Sequence, residues 1–548
     1  MIAHVAAWVP FVAGPLRLVQ DGWRPVGDEA AIALRSWDSL TAHGPLVGQA
    51  TRLGHGVFDP GPLQYWLLAV PAHIDPVHGS LWGAALCCMA AASLAIEAAW
   101  SVLGAAGGLC ASGLILGLTL WQPSVALPPS WNPWFGMMFF LAALSAGWAV
   151  ISGHRRWWPA LVITASIAAQ AHLMFALGSA ALVLLALVAG LVDTVRARSG
   201  YWWAVIGLLA GAACWSAPAI QQFTSPDGNL AALIRSSSGS GRRTGTAFGL
   251  KALTAAVQPV PFWWRTRVPS SAIAGMISHR SAGFAVAVLL LLAVVGVVAV
   301  RPLRCRPLAA LATVSLVLSL AALPTYSSIP VRNTSLRTLG YLTTLLLPIG
   351  LLCWLVVGSG AVLAGWRAAA HVRALAGARG SSSDTAAAGP QEARAGGSEP
   401  AAAGAAPARW GVRGVAAAAA LLIAAGSALA VWRQSPTIRA VTADTAMQAS
   451  LVASRQIERE LRGQPIALSV HDADAAALGR LTLALTWVLT PVGYGPEVVR
   501  ARLARELGDR YVFHGQPIPQ VAVRVRHDGI SVRVTMPPAG LARAAPGR

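Results

Sequence analysis

The sequence predicts an all-α polytopic membrane protein with a small α+β domain at its C-terminus. Of its 548 residues, 55% are hydrophobic and only 11% are charged, whereas soluble domains carry roughly 25% charged residues. The mean hydropathy is +0.59. The apolar residues come in runs of about 20, which is the length of a membrane-spanning helix. After residue 432 the runs stop and a pattern typical of a soluble domain begins.

The apolar runs predict about 11 transmembrane helices. If the spans alternate, pairs such as Arg155 and Arg156, or Arg304 and Arg306, fall on one side of the membrane, and that side is the cytoplasm. We therefore expect a multi-pass protein of the cell (cytoplasmic) membrane, with the N-terminus inside. The net charge of +20 reflects this topology, and we expect no nucleic-acid partner. The predicted spans are residues 2–19, 79–99, 101–121, 133–152, 157–173, 175–193, 201–220, 282–300, 307–323, 338–366 and 413–432.

Composition divides the chain into four parts. Residues 1–366 form a transmembrane module with a polar outer loop at 21–76. Residues 367–410, rich in Ala, Gly, Ser and Pro, predict a disordered cytoplasmic linker. Residues 411–433 hold the last span, and 434–548 an extracytoplasmic α+β domain. In that domain we expect helices over 442–462 and 475–489, a strand over 465–470, and a hairpin of 520–526 with 529–535.

Two adjacent acids, Asp28 and Glu29, stand at the start of a helix predicted over 29–43 in the outer loop. A partly desolvated carboxylate beside a bilayer can take a proton from a hydroxyl group, so one acid can act as a general base. The other acid would then bind substrate or support the structure of the site. An ordinary helix N-terminus with two solvated acids gives the same pattern, and the sequence leaves both readings open.

Further along the loop, Arg52, His55 and Asp59 precede a Pro-Gly-Pro turn that directs the chain back into the membrane. Arginine is suited to clamp a phosphate because its planar fork matches two oxygens. His55 can bind or protonate a phosphate oxygen. Polar loop residues satisfied by water are the alternative for all three.

Three more candidates lie later in the chain. His172 interrupts an apolar run, where it either packs between spans or lines a cavity. Arg332 and Arg337 fall in a predicted outer loop, where they either bind a lipid-linked phosphate or anchor the chain at the interface. No cluster has metal-ligand spacing, so we expect no metal and no cofactor.

Residues 27–29 read GDE and residues 59–65 read DPGPLQY. This pattern resembles the GT-C superfamily of integral-membrane glycosyltransferases, in the protein-mannosyltransferase and aminoarabinose-transferase branch, where an Asp-Glu pair is followed by HPPL-x-Y. Here Asp59 replaces the usual His, and Gly61 separates the prolines. The resemblance covers residues 20–75 best. Over the other spans it rests on their number, their orientation and the C-terminal domain.

The resemblance implies a GT-C-like transferase, an enzyme of the EC 2.4 class in the bacterial cell envelope. It would move a sugar from a polyprenyl-phosphate donor to a hydroxyl group of a glycan, lipid or protein acceptor, with inversion. Asp28 would be the base, because it matches the first acid of the motif. Position alone suggests that Arg52, Arg332 and Arg337 stabilise the departing phosphate.

Two other functions fit a polytopic helical protein. One is a non-catalytic membrane scaffold or glycan-binding protein, since the C-terminal domain shows no catalytic pattern. The other is a transporter or flippase for a lipid-linked solute. Transporters usually show internal repeats and interrupted helices near the midplane, and the sequence shows neither.

Overall fold

The computed structural model confirms the predicted fold class. It has a long helical module followed by a small domain with a four-stranded sheet. It describes residues 1–51, 56–121, 127–197, 201–237, 242–259, 270–301, 303–331, 342–384, 425–440, 442–461, 463–471, 475–500, 503–504, 507–526 and 529–537.

The helical module contains fourteen named helices and a fifteenth over residues 425–440 in the described part of the chain. They are α1 (Ile2–Gln20), α2 (Asp28–Asp38), α3 (Leu63–Ile74), α4 (Gly79–Trp121), α5 (Asn132–Ile151), α6 (Trp158–Ala171), α7 (Ala176–Ala197), α8 (Tyr201–Thr224), α9 (Asn229–Ser237), α10 (Thr246–Val257), α11 (Ser270–Ser278), α12 (Ala282–Val300), α13 (Arg306–Ser327), α14 (Leu346–Asp384) and α15 (residues 425–440).

Seven of the described helices are long and apolar enough to cross a membrane. The number is eight if α8, which bends by 45° between Cys214 and Ser216, counts as one span. Helix α4 is too long for a single crossing, and Gly104 interrupts it with φ 60°. Residues eight apart in a straight helix are separated by about 12 Å, yet a Cβ on Gly107 would collide with the carbonyl oxygen of Ala99. Helix α4 is therefore a hairpin, as the two predicted spans 79–99 and 101–121 require.

The transmembrane helices differ in how deeply they are buried. In α5, 83% of the apolar window is buried within the protein, whereas in α12 only 17% is. Helix α5 therefore forms the centre of the module, and α12 presents most of its surface outward. The predicted span 157–173 corresponds to α6, which is only 14 residues long.

Two predicted boundaries are wrong. The linker expected from residue 367 is helical as far as Asp384, because α14 continues past its apolar part. Ala and Arg supply nine of the 18 residues from 367 to 384 and are strong helix formers. The helix expected over 29–43 ends at Asp38. The remainder of the predicted linker, 385–410, and the first half of the predicted last span lie outside the described residues.

The C-terminal domain confirms the elements predicted for it. They are α16 (Thr445–Leu461), β1 (Ile466–His471), α17 (Ala475–Leu489), β2 (Pro496–Val498), β3 (Gln520–Arg526) and β4 (Gly529–Thr535). The strand order is β2-β1-β3-β4, with β1 parallel to both neighbours and β3–β4 an antiparallel hairpin. The sequence analysis did not identify β2, which is only three residues long.

The beginning and end of the chain pack against each other. The guanidinium of Arg17 in α1 donates to the carbonyl of Val431 in α15 at 3.0 Å, and Gln434 donates to the carbonyl of Pro10 at 3.0 Å. Helix α2 continues this association, because its apolar face contacts the C-terminal domain. That shared core contains Ala30, Ala33, Leu34, Trp487, Val498, Ala504, Leu507 and Tyr511.

Candidate functional site

The acid pair forms the first two residues of α2. Gly27 precedes it with φ 56° and ψ −127°, a conformation that glycine adopts far more readily than other residues. The Asp28 side chain is exposed, and its carboxylate accepts a hydrogen bond at 3.1 Å from Nε1 of Trp131, just before α5. The indole of Trp131 packs edge-on against Trp134. The structure therefore holds an accessible carboxylate between the loop helix and the central membrane helix.

Glu29 has a different environment from its neighbour. The residue keeps part of its surface exposed, but protein surrounds its carboxyl group. This burial, followed by the charge of Asp28, raises the pKa of Glu29 from 4.5 to about 8. A carboxyl group with that pKa is mostly protonated at neutral pH. The pair thus places an exposed acid beside a buried acid whose pKa is raised, and such a difference in environment is typical of acid–base sites.

Asp59 is buried, with 3% exposure. One carboxyl oxygen accepts from the backbone N–H of Leu173 at 2.8 Å, and the other from Nδ2 of Asn132 at 3.4 Å. Burial raises the pKa of Asp59 well above its usual range, and the charge of Asp28 acts in the same direction. Asp59 therefore joins the loop before α3 to the start of α5 and to the turn after α6.

Steric crowding explains why glycine, Gly61, separates the two prolines. A Cβ on Gly61 would collide with the carboxamide of Gln170, and it would lie 2.7 Å from Cγ of Pro218. Gln170 is itself fixed, since its Nε2 donates to the carbonyl of Cys214 at 2.7 Å. The DPGP turn therefore fits closely between α6 and α8.

His172 lies beside this turn. It follows α6, and its Nδ1 accepts from the backbone N–H of Met174 at 3.2 Å. The next residue, Leu173, supplies the N–H that binds Asp59. The structure thus places His172 next to the Asp59 connection. The other four predicted site residues, Arg52, His55, Arg332 and Arg337, lie outside the described residues.

Arg480 of the C-terminal domain also reaches the acid pair, and the sequence analysis missed it. Its Cγ lies 3.4 Å and its Nε 3.8 Å from the position a Cβ on Gly27 would take. It forms an ion pair with Asp444, and its charge lowers the pKa of Glu29 against the larger effect of burial. Nothing in the sequence marks Arg480, because only the packing of two distant segments brings it to α2.

A second group of charges joins the other end of α2 to the C-terminal domain. Asp38 is fully buried; one oxygen lies 2.6 Å from Nη2 of Arg510 and the other 3.6 Å from Nη1 of Arg35. Burial raises the pKa of Asp38 to about 6, although both arginines oppose this shift. Arg35 also donates to the carbonyl of Leu507 at 2.6 Å. Both ends of α2 are therefore attached to the C-terminal domain.

Two apolar grooves on the transmembrane helices lie apart from the acid pair. One, of about 490 Å³, is lined by residues of α14 that include Trp354 and Trp366. The other, of about 610 Å³, lies between α12 and α13. Among the described residues, no three or more His, Cys, Asp or Glu side chains group closely enough to hold a metal ion.

The fold resembles that of solved aminoarabinose transferases. The chain aligns over 100% of its length, and 98% of the other chain, with the crystal structure of ArnT from Cupriavidus metallidurans bound to undecaprenyl phosphate, at a TM-score of 0.53 and 15% identity. The apo ArnT structure aligns with 94% of this chain and 92% of its own, at a TM-score of 0.48 and 17% identity. No family model matches the chain, and no match was found among curated proteins.

The fold is therefore that of a multi-pass membrane protein, with several helices long and apolar enough to cross a membrane. More particularly, it is an ArnT-like arrangement, in which a helical membrane module precedes a small α+β domain. The resemblance indicated by the GDE and DPGPLQY motifs is confirmed at the level of the fold.

Proposed function

We propose that this protein is an inverting glycosyltransferase that uses a polyprenyl-phosphate sugar as donor. The reaction would occur at the outer face of the cytoplasmic membrane, with the N-terminus inside and the C-terminal domain outside. The observation that carries the proposal is the exposed carboxyl group of Asp28, held by Trp131 beside Glu29, whose pKa is raised by burial. The ArnT-like fold supports it, and one solved ArnT has undecaprenyl phosphate bound.

In this reaction Asp28 is the general base. It takes the proton of an acceptor hydroxyl as the hydroxyl oxygen attacks the anomeric carbon of the sugar. The bond from that carbon to the phosphate oxygen breaks, and both electrons leave with the polyprenyl phosphate. A single in-line displacement inverts the anomeric centre. Burial and the neighbouring charge of Asp28 raise the pKa of Glu29, so Glu29 is the acid of the pair that keeps its proton at neutral pH.

The other candidate residues take supporting roles. Arg52, Arg332 and Arg337 remain our candidates for stabilising the charge on the departing phosphate, and His55 for binding it. Asp59 has both oxygens bonded inside the protein, so we assign it to positioning the loop, together with His172. The acceptor is a glycan, a lipid or a protein; no metal or cofactor takes part.

The decisive experiment measures sugar transfer from a panel of polyprenyl-phosphate sugars by the purified full-length protein. Asp28→Asn keeps the shape of the side chain but removes the base, and we expect a 10²- to 10⁴-fold lower kcat, the usual contribution of general base catalysis. Donor binding should remain. Asp21→Asn is the matched control, because Asp21 is an exposed acid just after α1. This variant should have the kcat of wild type.

Equal turnover by wild type and Asp28→Asn would exclude Asp28 as the base. An assay of the protein reconstituted in vesicles distinguishes a transferase from a transporter. A transporter would move intact donor across the bilayer without consuming it, whereas a transferase releases free polyprenyl phosphate.

A further inference from the structure

The C-terminal domain contacts α2 from the acid pair to its last residue. We propose that this domain completes the candidate site, with Arg480 as the positioning residue for Asp28 and Glu29. This inference rests on the proposed function, because the acid pair matters only if it is catalytic. It assigns a role to a domain in which the sequence shows no catalytic pattern.

Arg480 lies against the turn that precedes the acid pair. The aliphatic part of Arg480 lies beside Gly27, and its Cγ is 3.4 Å from the position that a Cβ on Gly27 would take, an ordinary van der Waals distance. Gly27 is the last residue before Asp28, and its φ of 56° sets the direction in which α2 starts. Arg480 therefore lies over the turn that sets the orientation of the acid pair.

Arg480 is itself held in place. Its guanidinium pairs with Oδ2 of Asp444. The Oδ1 atom of Asp444 caps α16 by accepting from the N–H groups of Ala446 at 2.9 Å and Met447 at 3.2 Å. A carboxylate fixed at a helix N-terminus is a stable support. Arg480 is thus tied to the frame of the C-terminal domain.

Neighbouring contacts maintain this arrangement. Val26, Met447 and Ala484 form a small apolar cluster across the same boundary. The backbone N–H of Arg24 donates to the sulfur of Met447 at 3.2 Å. At the far end of α2, the buried pair of Asp38 and Arg510 prevents the helix from moving away. The helix is therefore held at both ends by one domain.

Positive charge from Arg480 favours the ionised form of Glu29, whereas burial and Asp28 favour the protonated form. Loss of Arg480 should therefore keep Glu29 protonated to a higher pH. Among the described residues, the charged or titratable groups near α2 include Arg480, Asp444, Arg510 and Tyr511 of the C-terminal domain, and Asp59, Tyr65 and His73 of α3 and the turn before it.

An infrared titration tests this proposal without relying on activity. The C=O band of the protonated Glu29 carboxyl is assigned by its loss in Glu29→Gln, and its intensity is followed against pH in the full-length protein. In Arg480→Gln we expect the ratio of protonated to ionised Glu29 at pH 8 to rise about twofold or more, since a nearby positive charge is lost. Arg480→Lys, which keeps the charge, should restore most of the wild-type midpoint.

Arg455→Gln is the matched control. Arg455 is exposed on α16 of the same domain, so this variant has the same change of net charge but should leave the midpoint unchanged. In the transfer assay, Arg480→Gln should lower kcat about tenfold with little change in donor KM, because positioning acts on the chemical step.

An unchanged midpoint in Arg480→Gln, or an equal change in Arg455→Gln, would overturn the proposal. A raised donor KM with unchanged kcat and midpoint would also overturn it, since Arg480 would then bind the donor and not position the acids. If no donor is turned over by wild type, the proposed function fails, and the infrared result still decides whether Arg480 acts on Glu29.

Discussion

Replacement of Glu29 by glutamine separates the roles of the two acids. Glutamine has nearly the shape of a protonated glutamate but carries no ionisable proton. If Glu29 serves in its protonated form, Glu29→Gln should be nearly as active as wild type at pH 7. If Glu29 is the base, the same variant should lose activity by the factor expected here for Asp28→Asn.

The expected change of kcat with pH follows from the pKa of about 8 for Glu29. At pH 7 the protonated form exceeds the ionised form about tenfold, and at pH 9 the ratio is reversed, so wild-type kcat should fall about tenfold between these values. The difference between 4.5 and about 8 corresponds to at most about 5 kcal/mol. Because the pKa is raised on folding, this stability is present below pH 4.5 and is lost as pH rises through 8. Glu29→Gln should avoid the loss.

The assay is initial-rate sugar transfer at saturating donor from pH 6 to pH 10, with thermal unfolding measured at pH 6 and pH 9. We expect wild type to show a falling alkaline limb near pH 8 and Glu29→Gln to show none. We also expect the stability of Glu29→Gln relative to wild type to be greater at pH 9 than at pH 6. A limb of the same position in the variant, or a hundredfold loss at pH 7, would refute the assignment.

Three other perturbations test the surroundings of the site. Trp131→Phe removes the indole donor to Asp28, and we expect kcat to fall about tenfold with unchanged donor binding, as measured by transfer kinetics. Asp38→Asn leaves the partly buried Arg510 without its counter-charge, so denaturant unfolding should show about 3 kcal/mol less stability, the lower end of the range for a buried pair; no change would contradict a stabilising contact between Asp38 and Arg510. Gly61→Ala places a methyl group against the carboxamide of Gln170, and we expect a lower melting temperature and about 1–3 kcal/mol of destabilisation.

The sequence predicted the fold well where one physical rule dominates. Long apolar runs must cross the bilayer as helices, and this located α1, α5, α12 and α13. Period-two alternation located the β3–β4 hairpin. The sequence predicted the ends of helices less accurately. Helix propensity beyond the apolar part carried α14 to Asp384, although composition suggested an unstructured linker.

The candidate site was only partly predictable for a related reason. Adjacent acids at a helix start are visible in the chain, so Asp28 and Glu29 were found. The raised pKa of Glu29 depends on burial, which the sequence does not show. Trp131 and Arg480 come from segments far from α2, and only the folded arrangement brings them to it. Asp59 looked like a binding group but is bonded inside the protein.

The packing of α2 against α17 has a consequence for biosynthesis. The acid pair leaves the ribosome more than 400 residues before Arg480 and Arg510, which lie against α2. If the proposed function and topology hold, a nascent chain has no complete site until its C-terminal domain has crossed the membrane and folded against α2. Chains that end before this domain would then insert their apolar helices and yet transfer no sugar.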